Sequence, residues 1–252
     1  MTLQIRINKY LVILGGVLCL LLWHFFAEKF SFTTSGIPAA KPIESVKTQE
    51  KVMALTINVD WGEEYLPDIL QILKTEQARV TFFVTGRWAK NHPELLKQMA
   101  AEGHEIENHG YRHPHPDNLS LEANQEELQK TESVIQEILG YQTKYYAPPY
   151  GESGPSGLRA AAESGYITTL WTLDTIDWKP ESTPERITQR VVEPAVRFGV
   201  QPDRCGAIIL MHPKENTVKA LPGILIQLKK EGFRFITLDE LIRFGETGNT
   251  SE

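Results

Sequence analysis

Residues 52–59 read VMALTINV and residues 65–74 read YLPDILQILK, and this pair of segments decides the fold class. The first segment is rich in β-branched and other apolar residues, as is typical of a buried strand. The second segment repeats apolar residues every three or four positions, which predicts an amphipathic helix. This order of strand and then helix recurs along the chain as far as about residue 244.

Further strands are predicted at residues 79–84, 104–108, 144–147, 166–173, 206–211 and 234–236. Helices are predicted at residues 92–102, 121–139, 184–192, 220–230 and 238–244, with another one after Pro155. Apolar strands that alternate with amphipathic helices favour an α/β fold, in which helices cover one parallel sheet. About seven or eight such units in roughly 200 residues suit a (β/α) barrel better than an open sheet.

Residues 10–26 contain no acid or base apart from His24, and Arg6 and Lys9 precede them. About seventeen residues, each rising roughly 1.5 Å, would cross most of a hydrocarbon core that is about 30 Å thick. Basic residues before the apolar run predict a cytoplasmic N-terminus. We therefore expect a single-pass transmembrane helix in the cell membrane, with the following domain outside the cytoplasm. A cleaved signal peptide is the alternative, and it would leave the protein secreted.

The chain is predicted to contain four segments. Residues 1–30 form a cytoplasmic tip and the anchor or signal, and residues 31–50 form a linker that contains Pro38 and Pro42 and has no sustained periodicity. Residues 51–245 form the barrel. Residues 246–252 are expected to be a disordered tail.

Composition excludes some classes of function. The 252 residues contain 26 Lys and Arg against 32 Asp and Glu, a formal charge of −6, which argues against binding nucleic acid through its phosphates. Cys205 is the one cysteine outside the apolar run, since the other is Cys19. A domain outside the cytoplasm with one thiol cannot form an internal disulfide, so we expect none to stabilise this fold.

Polar residues follow several of the predicted strands. In a parallel barrel, active sites lie where the carboxyl ends of the strands meet. Histidines, carboxylates and aromatic residues at these ends are the parts of a metal-assisted hydrolase. The residues in question are Asp60, His109, His113, Tyr150, Asp174, Asp177, Trp178 and His212.

Five segments resemble, in order, the five motifs of the polysaccharide deacetylases, which are carbohydrate esterases with a NodB-homology domain. They are NVDWG at 58–62, HGYRH at 109–113, APPYG at 147–151, LDTIDW at 173–178 and LMHP at 210–213. The resemblance covers about residues 51–244, and it implies a distorted (β/α) barrel of about seven to eight strands. The first segment also resembles a sporulation-associated group of peptidoglycan deacetylase-like proteins.

The resemblance implies a divalent metal that is held by one aspartate and two histidines. His109 and His113 match the histidine pair, and Asp60 is the nearest carboxylate to the first motif. Imidazole and carboxylate ligands suit Zn²⁺, while Co²⁺ and Mn²⁺ are further candidates. Three protein ligands with open positions beside them define a catalytic metal site rather than a structural one.

The first and third motifs depart from the family pattern. Aligned on residues 54–56, Asn58 and Val59 occupy the positions of the catalytic base and the metal-binding aspartate; aligned on Gly62 instead, Asp60 takes the base position and Trp61 the ligand position. Ala147 occupies the position of the arginine that orients the base. An asparagine cannot accept a proton as a carboxylate does. Asp60 shares a strand face with Asn58 if the strand is regular. Asp60 is therefore expected in the site, either as the base or as a metal ligand.

The resemblance implies roles for the remaining residues. His212 is expected to be the general acid that protonates the departing amine, supported by Asp174 or Asp177. The backbone N–H at Tyr150 would stabilise the oxyanion, and Leu210 would contact the acetyl methyl group. The residues expected to bind the substrate are Tyr150, Trp178, Leu210 and Asn58.

These features predict a metal-dependent hydrolase that removes acetyl groups, mainly N-acetyl groups, from a cell-wall polysaccharide such as peptidoglycan. The alternative is a membrane-anchored pseudoenzyme that binds glycan without cleaving it, because Asn58 and Ala147 replace the usual base and its partner. The expected partners are the glycan and the membrane, with no nucleic acid. The protein is expected to be a monomer.

Overall fold

The computed structural model describes residues 41–196, 199 and 201–248, with side chains as far as residue 245. The predicted membrane segment at residues 10–26 lies outside this part of the chain. Among the residues that are described, no helix is both long enough and apolar enough to cross a bilayer.

The described residues form eight strands, eight α-helices and three single-turn 3-10 helices. The strands are β1 (Val52–Val59), β2 (Thr81–Val84), β3 (Glu105–Asn108), β4 (Tyr145–Tyr146), β5 (Ile167–Thr168), β6 (Leu173–Asp174), β7 (Ala207–Met211) and β8 (Arg234–Ile236). The helices are α1 (Leu66–Thr75), α2 (Gly86–Asn91), α3 (Pro93–Ala101), α4 (Leu121–Leu139), α5 (Pro155–Glu163), α6 (Pro184–Val192), α7 (Glu215–Lys230) and α8 (Leu238–Gly248). Helix α8 thus extends three residues into the predicted tail, and residues 249–252 lie outside the described part.

The strands form one parallel sheet in the order β5-β4-β3-β2-β1-β7-β6, and β8 also pairs with β1. Strand β7 pairs with one edge of β1, and two strands share the other edge. On that edge, β8 pairs with Val52–Ala54 and β2 pairs with Thr56–Val59. The predicted α/β class is confirmed. The sheet is a curled half-barrel and not a closed barrel, because β5 and β6 end the order without pairing with each other in the described part of the chain.

Residues 166–173, predicted as one strand, contain two short ones. Strands β5 and β6 lie at opposite ends of the sheet, so the chain between them crosses the open side of the half-barrel. Residues 43–46, within the predicted linker, lie along this crossing, and we call them the strap. Ile43 N–H donates to the Thr168 carbonyl at 2.9 Å, and Val46 N–H donates to the Gly206 carbonyl at 2.9 Å. The strap therefore connects the two sides of the opening.

Strand β1 is buried along its whole length, and its alternate residues enter two different cores. Met53, Leu55, Ile57 and Val59 pack in the core that includes the apolar faces of the helices, and Val52 and Ala54 pack in a second core inside the half-barrel. Successive strand residues point to opposite faces of a sheet. This alternation gives Asn58 the interior face and Val59 the helix-covered face.

The strap generates a first prediction. Gly206 has φ of 73°, and a Cβ added there would overlap the Val46 carbonyl oxygen. Replacing Gly206 by Ala should lower the free energy of unfolding by about 2–5 kcal/mol, through left-handed strain and overlap together. Gly165→Ala is the matched control, because Gly165 has φ of 82° with open space around it, and it should cost about 1–2 kcal/mol. If urea denaturation showed that both variants lose the same free energy of unfolding, the contact between Gly206 and the strap would not contribute to stability.

A second prediction concerns pH. Burial lowers the pKa of His104 to about 4, since its ring packs edge-on against Phe82 and its Nδ1 accepts the Val80 N–H at 3.3 Å. The folded state therefore binds fewer protons than the unfolded state between pH 6.5 and 4. Stability from neutral His104 is complete above pH 6.5 and is lost as pH falls towards 4, by up to about 3 kcal/mol. The stability difference between wild type and His104→Gln, measured by denaturation across this range, should shrink as pH falls; a constant difference would contradict the assignment.

Candidate active site

A cavity of about 540 Å³ opens at the carboxyl ends of the strands. Its walls include nine of the ten residues that the sequence placed in the site, namely Asn58, Asp60, His109, His113, Tyr150, Asp174, Trp178, Leu210 and His212. The tenth residue, Asp177, is buried behind His212. Trp61, Gly151 and Trp171 complete the lining.

The histidine pair begins with a buried, neutral ring. His109 Nδ1 lies 2.6 Å from the carbonyl oxygen of Ala147, which can only accept, so Nδ1 carries the proton and Nε2 keeps its lone pair. Burial lowers the pKa of His109 well below its usual value, and the nearby His113 lowers it further. The two ring centroids are 4.9 Å apart. Burial also lowers the pKa of His113, although the charge of Asp60 opposes this effect.

Two side chains fix the loop between these histidines. Asn108 Oδ1 accepts the Gly110 N–H at 2.9 Å, and Gly110 has φ of 76°, which explains a glycine at this position. Glu127 of α4 accepts the N–H groups of Tyr111 at 3.0 Å and Arg112 at 2.7 Å. The loop is therefore anchored to β3 on one side and to α4 on the other.

Asp60 lies in the cavity wall, as strand alternation predicts, and its carboxylate is already hydrogen-bonded. Thr85 Oγ1 donates to Oδ1 at 2.8 Å, and Arg87 donates to both oxygens at 3.0 Å. Thr85 also caps the N-terminus of α2 by accepting the Trp88 N–H. Asp60 thus joins the end of β1 to the first turn of α2.

The metal that the family resemblance implies does not fit these residues as they are placed. Across residues 41–196, 199 and 201–248, no three His, Cys, Asp or Glu side chains are grouped so that they could hold one ion. His109 offers a lone pair, but Asp60 gives both oxygens to a cation of the protein itself. The predicted ligand set of Asp60, His109 and His113 is therefore not assembled.

His212 is held by Asp177 rather than by Asp174, which answers the question that the sequence left open. Asp177 Oδ1 lies 2.8 Å from His212 Nδ1, while Asp177 Oδ2 accepts the His212 N–H and the Thr217 hydroxyl, each at 2.7 Å. The carboxylate orients the ring and directs Nε2 away from itself. Asp174 instead accepts the Ile176 N–H at 2.7 Å and shapes the turn before Asp177.

Aromatic side chains form the rim of the cavity. Tyr150, Trp178 and Trp61 are 57%, 47% and 40% exposed, although such large apolar groups are usually more buried. Trp61 stacks on His212 with the ring centroids 5.9 Å apart. Tyr150 stacks on His115 at 3.8 Å, and its φ of 60° places it in the left-handed region. The rim therefore offers flat apolar faces to a ligand.

The two substituted motif positions are buried. Asn58 borders the cavity, and its Oδ1 is buried without a hydrogen-bond partner in the described structure. Val59 is fully buried in the helix-covered core, so its side chain is directed away from the cavity. Ala147 belongs to the interior core, and its side chain carries no charge.

Several supporting residues were not predicted from the sequence. Arg87, Glu127 and Thr217 lie on helices, far along the chain from the residues that they contact, and nothing local in the sequence distinguishes them. Thr85 did carry a signal, since a threonine before a helix is a common N-cap. Trp61 lies within the first motif, where alignment on Gly62 puts it at the metal-ligand position, and it was not predicted as a residue of the rim.

The curled α/β half-barrel, with histidines and carboxylates at its carboxyl edge, defines a protein of the carbohydrate-esterase type. The chain belongs to the polysaccharide deacetylase family, whose profile matches residues 45–169. It is 32% identical to a peptidoglycan-N-acetylglucosamine deacetylase of Bacillus cereus over 86% of this chain and 74% of that protein. The predicted resemblance to the polysaccharide deacetylase family is thereby confirmed.

Two further relatives are informative. The chain is 37% identical to the Bacillus subtilis protein YlxY over 80% of its own length, and it spans only 60% of YlxY. Among solved structures, a CE4 family pseudoenzyme from Bacillus anthracis matches with a TM-score of 0.73 and 36% identity, covering 81% of this chain and 69% of that one. A mutant of that pseudoenzyme is described as having restored enzymatic activity.

The loop anchor generates a third prediction. Replacing buried Glu127 by Ala removes the acceptor of two backbone N–H groups and should cost about 2–3 kcal/mol of unfolding free energy. Exposed Glu126 pairs with Lys130, four residues away, so Glu126→Ala is the matched control and should cost less than about 0.5 kcal/mol. Urea denaturation measures both losses. Similar losses for the two variants would mean that Glu127 does not hold the histidine loop.

Proposed function

We propose that the cavity binds an N-acetylated cell-wall glycan and that the protein does not hydrolyse it at the rate of an intact deacetylase. The glycan is inferred from the family and from relatives that are named peptidoglycan deacetylases. Such a ligand requires the cavity to lie outside the cytoplasm, which is where the predicted anchor or signal would place it.

The rim supports a sugar as the ligand. Trp61, Tyr150 and Trp178 present flat faces that can pack against the apolar C–H faces of sugar rings, while polar groups in the wall can meet hydroxyl and acetamide groups. A volume of about 540 Å³ is within the usual range for small-molecule sites. The acidic composition argues against attraction of a polyanion by bulk charge, so recognition is expected to be local.

The proposal of slow or absent hydrolysis depends chiefly on one observation, which is the amide of Asn58 at the position where the reaction needs a proton acceptor. Ala147 supplies no charge beside it. Asp60, the nearest alternative, has both oxygens engaged by Arg87. Loss of a general base alone removes about 10²–10⁴-fold of rate.

A second candidate function is a slow hydrolase, and the hydrogen bonds around His212 favour it. With Nδ1 held by Asp177, Nε2 can donate a proton to a departing amine. Asp60 would then have to take the proton from the attacking water, through an acceptor position that its hydrogen bonds with Thr85 and Arg87 leave free. In this case acetate release should be slow but should disappear in His212→Ala.

The fourth prediction tests binding and cleavage together. The full chain should bind N-acetylated chitotetraose by isothermal titration calorimetry, and Trp178→Ala should weaken binding about tenfold through loss of a stacking face. Tyr141→Ala is the control, because Tyr141 is exposed but borders a different cavity, and it should bind like wild type.

Acetate release from the same oligosaccharide and from peptidoglycan decides between the two candidates. No detectable release from the wild type, together with binding, supports a protein that only holds the glycan. Release that His212→Ala abolishes supports the slow hydrolase. If neither glycan binds, the proposed function is wrong.

A further inference from the structure

We infer that Arg87 acts as a built-in cation that occupies Asp60 and keeps a divalent metal from the His109–His113 site, so that removing Arg87 alone creates a zinc site. This inference goes beyond glycan binding and does not depend on it. Asp60, His109 and His113 line one cavity, yet they are not grouped as metal ligands in the described part of the chain.

The contacts of Arg87 place it firmly beside the histidine loop. Its backbone N–H donates to the Tyr111 carbonyl at 3.0 Å, and the preceding Gly86 N–H donates to the Gly110 carbonyl at 3.0 Å. A Cβ on Gly86 would crowd the Tyr111 ring and the Thr131 backbone, so α2 approaches the loop as closely as a glycine allows. The guanidinium thus starts from a backbone that is fixed to the same loop as His113.

The guanidinium and a metal ion would compete for the same carboxylate. Arg87 lies 3.0 Å from each oxygen of Asp60, so it occupies one acceptor position on each oxygen and holds its charge beside any metal that Asp60 would bind. The metal would carry its two positive charges close to the arginine, and like charges repel strongly at such distances. Both effects oppose metal binding while Arg87 is present.

Removal of Arg87 frees the carboxylate of Asp60 for a metal. Oδ2 loses the hydrogen bond from Arg87, while Oδ1 still accepts the Thr85 hydroxyl, an outer contact of the kind that orients metal-binding carboxylates. His109 is already held through Nδ1 with its other nitrogen free. Asp60, His109 and His113 together would supply one carboxylate and two imidazoles, which suit Zn²⁺ or Co²⁺.

The fifth prediction is tested on the full chain, freed of metal with a chelator and titrated with Zn²⁺ by calorimetry without glycan. Arg87→Ala should bind Zn²⁺ at least about tenfold more tightly than wild type. Arg79→Ala is the matched control, since Arg79 pairs with Glu240 at 2.6 Å and is 50% exposed, against 53% for Arg87. The Arg79 variant should bind like wild type.

Three further variants make the result specific. The tighter binding should vanish in Arg87→Ala/Asp60→Asn and in Arg87→Ala/His109→Ala, and Arg87→Lys, which keeps the charge, should stay closer to wild type than Arg87→Ala. Co²⁺ absorption in Arg87→Ala should show a four- or five-coordinate spectrum that is absent from wild type. Wild type binding Zn²⁺ as tightly as Arg87→Ala, or tighter binding that survives Asp60→Asn, would overturn the inference. Because no glycan is present, either result leaves the proposed function to its own test.

Discussion

The alternation of side chains along β1 is the constraint on which the rest of the molecule depends. Every residue of this central strand is buried, and β2, β7 and β8 all pair with it. Because its two faces enter different cores, the register cannot slip by one residue without moving apolar side chains out of both. This fixed register directs the Asn58 side chain to the inside of the half-barrel and the Val59 side chain to the helix-covered core. The residue that the alignment on residues 54–56 puts at the metal-ligand position therefore packs in that core.

The same alternation of side chains explains the position of Asp60. Two residues beyond Asn58, it returns to the cavity side, where the N-terminus of α2 meets it. A carboxylate near a helix N-terminus is favourable, and here it also gains a threonine and an arginine as donors. Asp60 therefore stabilises the junction of β1 and α2, a role that a carboxylate in the metal-ligand position would not need.

Sequence periodicity located the central strands and the residues at their ends. A buried strand shows as a run of neighbouring apolar residues, and the polar residues that follow the run mark its end. It failed at residues 166–173, where a continuous apolar stretch conceals a crossing between opposite ends of the sheet. The strap and Glu127 were also missed, since each works through partners more than ten residues away. Likewise, the sequence alone does not distinguish Asp174 from Asp177 as the partner of His212. The turn in which Asp174 accepts the Ile176 N–H places Asp177 beside His212.

Retention of the His212–Asp177 pair does not by itself indicate catalysis. Asp177 accepts three hydrogen bonds, which join the segment after β6 to the end of β7 and to the first turn of α7. Removing such a buried carboxylate would leave several donors unsatisfied, so the fold alone gives reason to keep it. The buried Oδ1 of Asn58, by contrast, has no partner among the described residues. Asn58 is therefore the more informative residue, and the proposal of a cavity that only binds glycan depends on it.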